Sequence, residues 1–401
     1  MEHIVFGFVI LLCNGVDFTS SSRPDPSVNL KTLVNDYGYA FEVHQVTTED
    51  GYILEVHRIP GVINKTSSET KKGKVALLLH GLLGSSFTWL GTGPKRSLAL
   101  ILVDKGYDVW LLNNRGNTYS RKHVSKLETS FGFWDFSWHE MGLYDLPTTI
   151  HYVLNNTNQT NLNIGCFSEG CTQTCVMGSL KPEYNKKIKF VLALSPSVFK
   201  KYLGGLLRLL IPFTRIMVNL YERVGYFQLL PASTLLRIFT SFVCSAKSIF
   251  QPICISVIFS VIGIGYEQLD RANLEHFLKY EPAGGSNKQL LHYALGTYNP
   301  GTFRLFDYGP VRNLQLYNSI TPPDYPLENV NFPFAIYHGL NDLLADPKDV
   351  DLLKGRLPNI VDAYLVPGKL NHYDLMLGLN INKLCYERAV DLMETYNQEQ
   401  S

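Results

Sequence analysis

The chain lacks an excess of charge of either sign. Its 36 Lys and Arg residues are balanced by 35 Asp and Glu, a formal net charge of +1. That argues against a nucleic-acid partner, because gripping phosphates needs a basic surplus. The chain also lacks internal repeats and low-complexity tracts, which excludes solenoids and repeat arrays. It has no apolar run long enough to cross a bilayer. Residues 4–13 and 253–264 both fall short of the about 18 residues a span requires, and Lys247 and Pro252 limit extension of the second. Charged residues make up only 18% against 45% hydrophobic, so a large core can form and a disordered chain is excluded.

What is present starts with length. With 401 residues, the expectation is one large domain, or one domain carrying an insertion. The apolar run at 4–13 has the length of a signal-peptide core, with small residues Cys13 and Gly15, or Ser20 to Ser22, as cleavage candidates. Glu2 is an unusual acidic start for such a leader, but polar, Pro-containing sequence follows at 20–25. Asn64-Lys65-Thr66, Asn155-Asn156-Thr157 and Asn158-Gln159-Thr160 are glycosylation sequons that suit a secretory route. Removing Cys13 with the leader leaves six of seven cysteines. Of these, Cys244 and Cys254 look like a local disulfide, while Cys171 and Cys175, four apart on an expected helix, read as buried thiols.

Strand and helix signals alternate along the first half. Residues 41–46 and Tyr52–Ile59 flank Thr48-Glu49-Asp50-Gly51, a turn with an Asp-Gly hairpin signature. Continuous apolar runs at Val75–Leu79 and 107–112 suit central strands covered on both faces. Helices are expected at 97–105, 145–154 and Glu169–Leu180, with strands at 162–166 and Ile188–Leu194. From about 200 to 303 the alternation stops, and the sequence becomes helical and unusually apolar with interspersed arginines. It resumes with strands at 334–337 and 361–366 and a closing helix at 382–396. An apolar helical block inside such a frame predicts a cap over the sheet edge where ligands bind.

Three short elements carry chemistry. Cys166-Phe167-Ser168-Glu169-Gly170 sits between an apolar strand and a helix, the context of a nucleophile elbow that lifts a serine hydroxyl clear of a sheet. His80-Gly81-Leu82-Leu83-Gly84 follows the strand Val75–Leu79. In hydrolases so built, this loop and the residue after the nucleophile each give a backbone N–H to the oxyanion hole, here Leu82 and Glu169. Backbone donors are needed because negative charge develops on the substrate carbonyl oxygen; losing one costs about 3 kcal/mol. Chain order then requires an acid and a histidine. Asp342 lies just beyond the strand at 334–337, and His372 precedes the final helix. Ser168, His372 and Asp342 are thus expected as nucleophile, general base and the group that fixes the imidazole. Asp346, Asp349 and Asp351 read as surface or capping residues, and His80 and His338 as structural.

The chain resembles the acid lipases, the family of gastric lipase, lysosomal acid lipase and many insect lipases, from about residue 35 to the last helix. The resemblance rests on Thr47-Thr48-Glu49-Asp50-Gly51-Tyr52-Ile53-Leu54, His80-Gly81-Leu82-Leu83 and Gly106-Tyr107-Asp108-Val109-Trp110-Leu111. Asn114-Arg115-Gly116-Asn117, Tyr144-Asp145-Leu146-Pro147, Asn341-Asp342-Leu343-Leu344-Ala345-Asp346-Pro347 and Asn371-His372 extend it. It implies an α/β-hydrolase with a central, mostly parallel sheet and an inserted helical cap with a lid. The expected segments are a leader at 1–20, core at 21–199, cap at 200–308 and core at 309–401. It also implies hydrolysis of triacylglycerols or sterol esters at a lipid–water interface, no cofactor, no membrane span in the mature chain, a secreted or lysosomal location, and a cap disulfide placed like Cys244 and Cys254. The alternative is a weakly catalytic lipid binder that keeps the cap pocket. What favours that alternative is the elbow, where Cys, Phe and Glu replace the family's Gly, His and Gln. A Cβ at 166 is expected to strain the turn, and an ionised Glu169 to oppose the forming oxyanion by about 4 kcal/mol at 4 Å and intermediate dielectric, lowering activity near neutral pH.

Overall fold

The computed structural model describes residues 26–64, 73–231 and 233–399. The expected leader lies outside the described residues. Strand β1 (Glu42–Thr47) pairs antiparallel with β2 (Tyr52–Ile59), with Thr47 opposite Ile53 across the turn. Gly51 closes that turn at φ +95°, a conformation an L side chain resists. The remaining strands are β3 (Val75–Leu79), β4 (Asp108–Leu112), β5 (Leu162–Phe167), β6 (Ile188–Leu194), β7 (Phe334–His338) and β8 (Ile360–Leu365). They lie in the order β1-β2-β4-β3-β5-β6-β7-β8, and a two-residue strand, Lys122–His123, pairs with β2. Every pairing from β4 to β8 is parallel.

The central strands are apolar because both faces are covered. Leu77 and Leu79 of β3 pack into one hydrophobic cluster, and Ala76 and Leu78 into the other, as the two-residue period of a strand requires. The chain leaves β3 for β4 on one side and later returns to β5 on the other. That reversal opens a crevice beyond the carboxyl ends of β3 and β5, the place where such sheets bind ligands.

Helices α1 (Pro26–Asp36), α2 (Leu98–Asp104), α3 (Leu146–Thr157) and α4 (Glu169–Leu180) belong to the first half. Pro147 fits the first turn of α3, where its missing N–H costs nothing, and Asn158 ends the helix in the left-handed region at φ 52°. The expected helix from Asp145 begins one residue later, behind a π-helical turn at Met141–Asp145. Between β6 and β7 come α5 (Gly205–Arg223), α6 (Thr234–Val243), α7 (Gln251–Ile262), α8 (Arg271–Leu278), α9 (Asn287–Tyr298) and α10 (Pro310–Tyr317). This insertion also holds a two-residue antiparallel pair, Gln228–Leu229 with Gly285–Ser286, that the sequence did not signal. After β7 come α11 (Pro347–Lys354) and α12 (Glu387–Glu399). No helix among the described residues is long and apolar enough to cross a membrane.

Cys244 and Cys254 are joined, linking the end of α6 to α7. The reading of Cys171 as a thiol is corrected: it is bonded to Cys166, across the turn from β5 into α4, whereas Cys175 is a free, buried thiol. A spacing of five residues across a tight strand-to-helix turn brings the two side chains together, which helical periodicity alone does not anticipate.

A buried ion cluster ties the hairpin to the sheet's helical face. The Arg115 guanidinium donates to Asp145 Oδ1 at 2.6 and 2.8 Å and to Asp50 at 2.6 and 2.8 Å, and lies 4.0 Å from the centre of the Tyr52 ring. Arg115 and Asp145 are both inaccessible to solvent. Arg115→Leu leaves the Asp145 carboxylate buried and unpaired, so a loss of about 3–5 kcal/mol in denaturant unfolding is expected. A loss below about 1 kcal/mol would show that water reaches Asp145 and that the cluster is dispensable.

Candidate active site

The site grows from one strained turn. Strand β5 ends at Phe167 and α4 begins at Glu169, leaving Ser168 at φ 53°, ψ −113°. A non-glycine residue there costs on the order of 1–3 kcal/mol and persists only when its surroundings hold it. Here Ser168 N–H donates to Leu194 O at 3.0 Å, and Ser168 O accepts from Cys171 N at 3.1 Å and Ser197 N at 3.3 Å. Gly170 is required by space: a Cβ there would sit 2.6 Å from Leu79 O. A Cβ on Gly81 would sit 2.9 Å from Ser168 Cβ, so the loop after β3 passes directly beside the serine. Cys166 occupies the position where a third glycine is usual, and its side chain is buried and bonded to Cys171.

The structure brings Ser168, His372 and Asp342 together, all three buried. Ser168 Oγ lies 2.8 Å from His372 Nε2. His372 Nδ1 lies 2.9 and 2.8 Å from the two Asp342 oxygens. Asp342 Oδ1 also accepts amide N–H groups from Leu344 at 2.9 Å and Ala345 at 2.8 Å. Burial works to raise the Asp342 pKa, but the adjoining His372, the Ala345 amide and Ser195 outweigh it and hold the group below the usual carboxylate value. A carboxylate on Nδ1 fixes that nitrogen as the protonated one and leaves Nε2 free to take a proton from the serine hydroxyl. His372 is itself anchored by its N–H on Ile262 O, 3.1 Å away at the end of α7.

Leu82 follows Gly81 immediately, and Glu169 follows Ser168. Among the described residues neither amide hydrogen has an acceptor, so both are available to a ligand. The Glu169 side chain bears on one expectation. It runs under the insertion, where Oε1 accepts from Gln289 Nε2 at 2.8 Å and Gln173 Nε2 at 3.4 Å. Burial raises its pKa to about 8 against the hydrogen bonds of both glutamines and the charge of Lys200. Burial therefore favours the protonated carboxyl at neutral pH, which lessens the charge that an ionised Glu169 would place there. Gln173 Oε1 and Glu169 Oε2 are both buried without a partner, which also suits a carboxyl that carries a proton to donate.

Asp346 caps α11 through Lys348 N at 2.9 Å, and Asp351 pairs with Lys354 at 2.8 Å. Asp349 is not a surface residue: it is buried and accepts the amides of Lys201 at 3.0 Å and Tyr202 at 2.9 Å. His80 is bridged between Gly81 O at 2.8 Å and Asn114 N at 3.2 Å. Sequence reasoning missed Lys200, whose buried ammonium donates to Leu344 O at 2.6 Å and so braces the Asp342 loop. A lysine in the apolar run after Pro196 was the available signal. No cluster of three or more His, Cys, Asp or Glu side chains that could hold a metal ion occurs among the described residues.

Comparison with known proteins agrees with this geometry. Residues 30–93 match the partial alpha/beta-hydrolase lipase region, and residues 75–213 the alpha/beta hydrolase fold. Lipase 3 of Drosophila melanogaster is 40% identical over 365 residues, covering 90% of this chain and 92% of that protein. Lipase member K of Homo sapiens is 35% identical, covering 94% of each chain. Gastric triacylglycerol lipase of Bos taurus is 35% identical, covering 93% of each. A solved structure from Sulfolobus solfataricus shares the fold alone, with a TM-score of 0.58 at 13% identity over 89% of this chain and 95% of that one. The likeness to three lipases runs through both halves of the sheet and the insertion between them; the chain belongs to the acid lipases, the family that includes gastric lipase and the insect lipases, and is a carboxylic ester hydrolase.

Proposed function

We propose that the chain is a secreted or lysosomal lipase that cleaves triacylglycerols or sterol esters through a Ser168 acyl-enzyme. The observation that carries this reading is the continuous hydrogen-bonded relay from Ser168 Oγ through His372 to Asp342 at the end of a central strand. Ser168 Oγ attacks the ester carbonyl carbon while His372 Nε2 takes its proton. The carbonyl oxygen becomes an oxyanion facing the Leu82 and Glu169 amides. Collapse expels the alcohol, which receives the proton from His372, and water repeats the sequence to release the fatty acid and free the serine.

The insertion is read as a cap with a lid. The end of α7 touches both catalytic loops, through Ile262 O on the amides of His372 and Leu343 and through Gly263, where a Cβ would strike Asn341 O. Its outer side is apolar. Leu209, Phe213, Ile216 and Leu220 of α5 recur at four-, three- and four-residue steps, the spacing of one helical face, and are 57–69% exposed. Such a stripe suits contact with a lipid surface. The secretory assignment rests on the leader-like start, the two disulfides and the exposed Asn64, Asn155 and Asn158.

Ser168→Ala and His372→Ala should each lower ester hydrolysis by about 10⁴-fold or more with the unfolding midpoint nearly unchanged, and Asp342→Asn by about 10⁴-fold. Should Asp346→Asn prove damaging and Asp342→Asn harmless, the acid is misassigned. A fluorophosphonate probe should label the wild type and fail on Ser168→Ala.

The Glu169 carboxyl ionises only as pH climbs through about 8. Glu169→Gln should therefore match wild type near neutral and acidic pH and exceed it by several-fold at alkaline pH. The sign for stability is the same. A folded-state pKa raised above the ordinary 4.5 contributes stability below 4.5 that is lost as pH rises through about 8. Glu169→Gln should therefore melt higher than wild type in the alkaline range. A variant slower than wild type at every pH would show that the carboxyl serves the chemistry.

The double change Phe213→Ser and Ile216→Ser should reduce hydrolysis of emulsified long-chain esters several-fold and leave a soluble short-chain ester unaffected. Equal losses on both substrates would place the stripe in folding rather than in lipid contact.

A further inference from the structure

We propose that Glu281, in the segment leading from α8 into α9, is the positioning residue that sets the oxyanion loop, so that the cap itself shapes the oxyanion hole. This rests on the assignment of the Leu82 amide to that hole. The loop after β3 turns at Leu83, which is held at φ 62°, and runs into a short 3-10 helix, Ser86–Trp89, capped by Ser85. A loop with a left-handed leucine needs outside support, because that conformation is unfavourable for a side chain with a Cβ.

The support comes from the cap. Glu281 Oε1 accepts three hydrogen bonds from this loop: Ser85 N at 3.0 Å, Ser85 Oγ at 3.2 Å and Thr88 Oγ1 at 2.6 Å. Two residues on, Ala283 N donates to Leu83 O at 2.7 Å, and Ala283 O accepts from Thr118 N at 2.8 Å and Thr118 Oγ1 at 3.0 Å. The loop is thus gripped directly beside the Leu82 amide and again one turn later. The insertion also reaches the residue that carries the second amide of the hole, since Gln289 in the first turn of α9 donates to the Glu169 carboxyl.

Glu281 is an expensive choice for a purely structural bracket. It is buried, and Oε2 has no hydrogen-bond partner. A buried polar atom left unpaired is destabilising. Burial pushes the carboxyl up to about 7 against the donors from Thr88 and Ser85. Below that pH it is a neutral acceptor, and Glu281→Gln is its isosteric mimic. A single oxygen that collects three donors from one loop fixes the position and tilt of that loop more tightly than packing alone, because hydrogen bonds weaken steeply when misaligned.

The test compares wild type, Glu281→Gln, Glu281→Ala and Thr88→Val at about pH 6 on a soluble ester, well below each unfolding midpoint. Full removal of an oxyanion donor costs about 10²–10³ in kcat, so displacing one should cost on the order of 10-fold. Glu281→Ala is expected to lower kcat by about that factor with KM within about threefold, and to slow fluorophosphonate labelling of Ser168 in parallel. Glu281→Gln should stay within about threefold of wild type, and Thr88→Val should fall between the two. Thr88→Val removes only one of the three bonds, so it decides the matter if Glu281→Ala does not fold. Unchanged kcat and labelling in Glu281→Ala or Thr88→Val, with only a lower melting temperature or a higher KM, would overturn the proposal. So would a Glu281→Gln variant as impaired as Glu281→Ala. A wild-type protein that neither hydrolyses the ester nor takes the label would instead defeat the assignment of Ser168, whatever Glu281 does.

Discussion

The turn at Ser168 is the constraint on which the rest of the molecule depends. Its left-handed backbone is unfavourable in isolation, and three hydrogen bonds to Leu194, Cys171 and Ser197 hold it in place. Those partners sit on the neighbouring strand, in the first turn of α4 and in the chain leaving the sheet, so the turn depends on the sheet around it. The space the turn needs then dictates two glycines, Gly81 and Gly170, whose missing side chains let β3 and its loop approach within contact distance. The crossing of Cys166 to Cys171 spans the same turn and substitutes a covalent link where a glycine would otherwise ease the packing.

The protein buries several ionisable groups and handles each differently. Asp342 stays ionised because His372 and backbone amides surround it. Glu169 and Glu281 have no cation bonded to them, and burial drives both toward the neutral form. Arg115 keeps its charge because two carboxylates share it. The same low-dielectric interior therefore holds Asp342 charged and favours the protonated form of Glu169 and Glu281. That division is the electrostatic requirement for stabilising negative charge on a substrate oxygen.

The insertion between β6 and β7 is in contact with the loops that carry His372, Asp342 and Ser168. Ile262 O holds the backbone of His372, and Lys200, in the segment between β6 and α5, braces the carbonyl of Leu344. Glu281 and Gln289 reach the loop after β3 and the elbow from the other side. Parts of the site contributed by the sheet are thereby completed by groups from the insertion. Exposed apolar side chains remain on the outer face of α5, where no part of the described chain covers them.

Much of this was legible in the sequence. A continuous apolar run marked β3 because a strand covered on both faces has few polar positions, and the strands expected at Val75–Leu79 and Ile188–Leu194 came out to the residue. That Ser168, Asp342 and His372 come together was legible because each follows a strand end in the chain order expected of this fold. The local disulfide at Cys244 and Cys254 was legible from spacing. The bond between Cys166 and Cys171 was not, because helical periodicity separates those residues and only the tight turn joins them. Nor could the sequence say that burial favours a protonated Glu169, since a side chain's ionisation depends on burial and on Gln173 and Gln289, which lie four and 120 residues away. What the sequence determined alone was periodicity, chain order and which serine, acid and histidine stand at strand ends. What only the tertiary structure decided was which distant residues surround them, because desolvation and hydrogen bonding are properties of the packed interior and not of the chain.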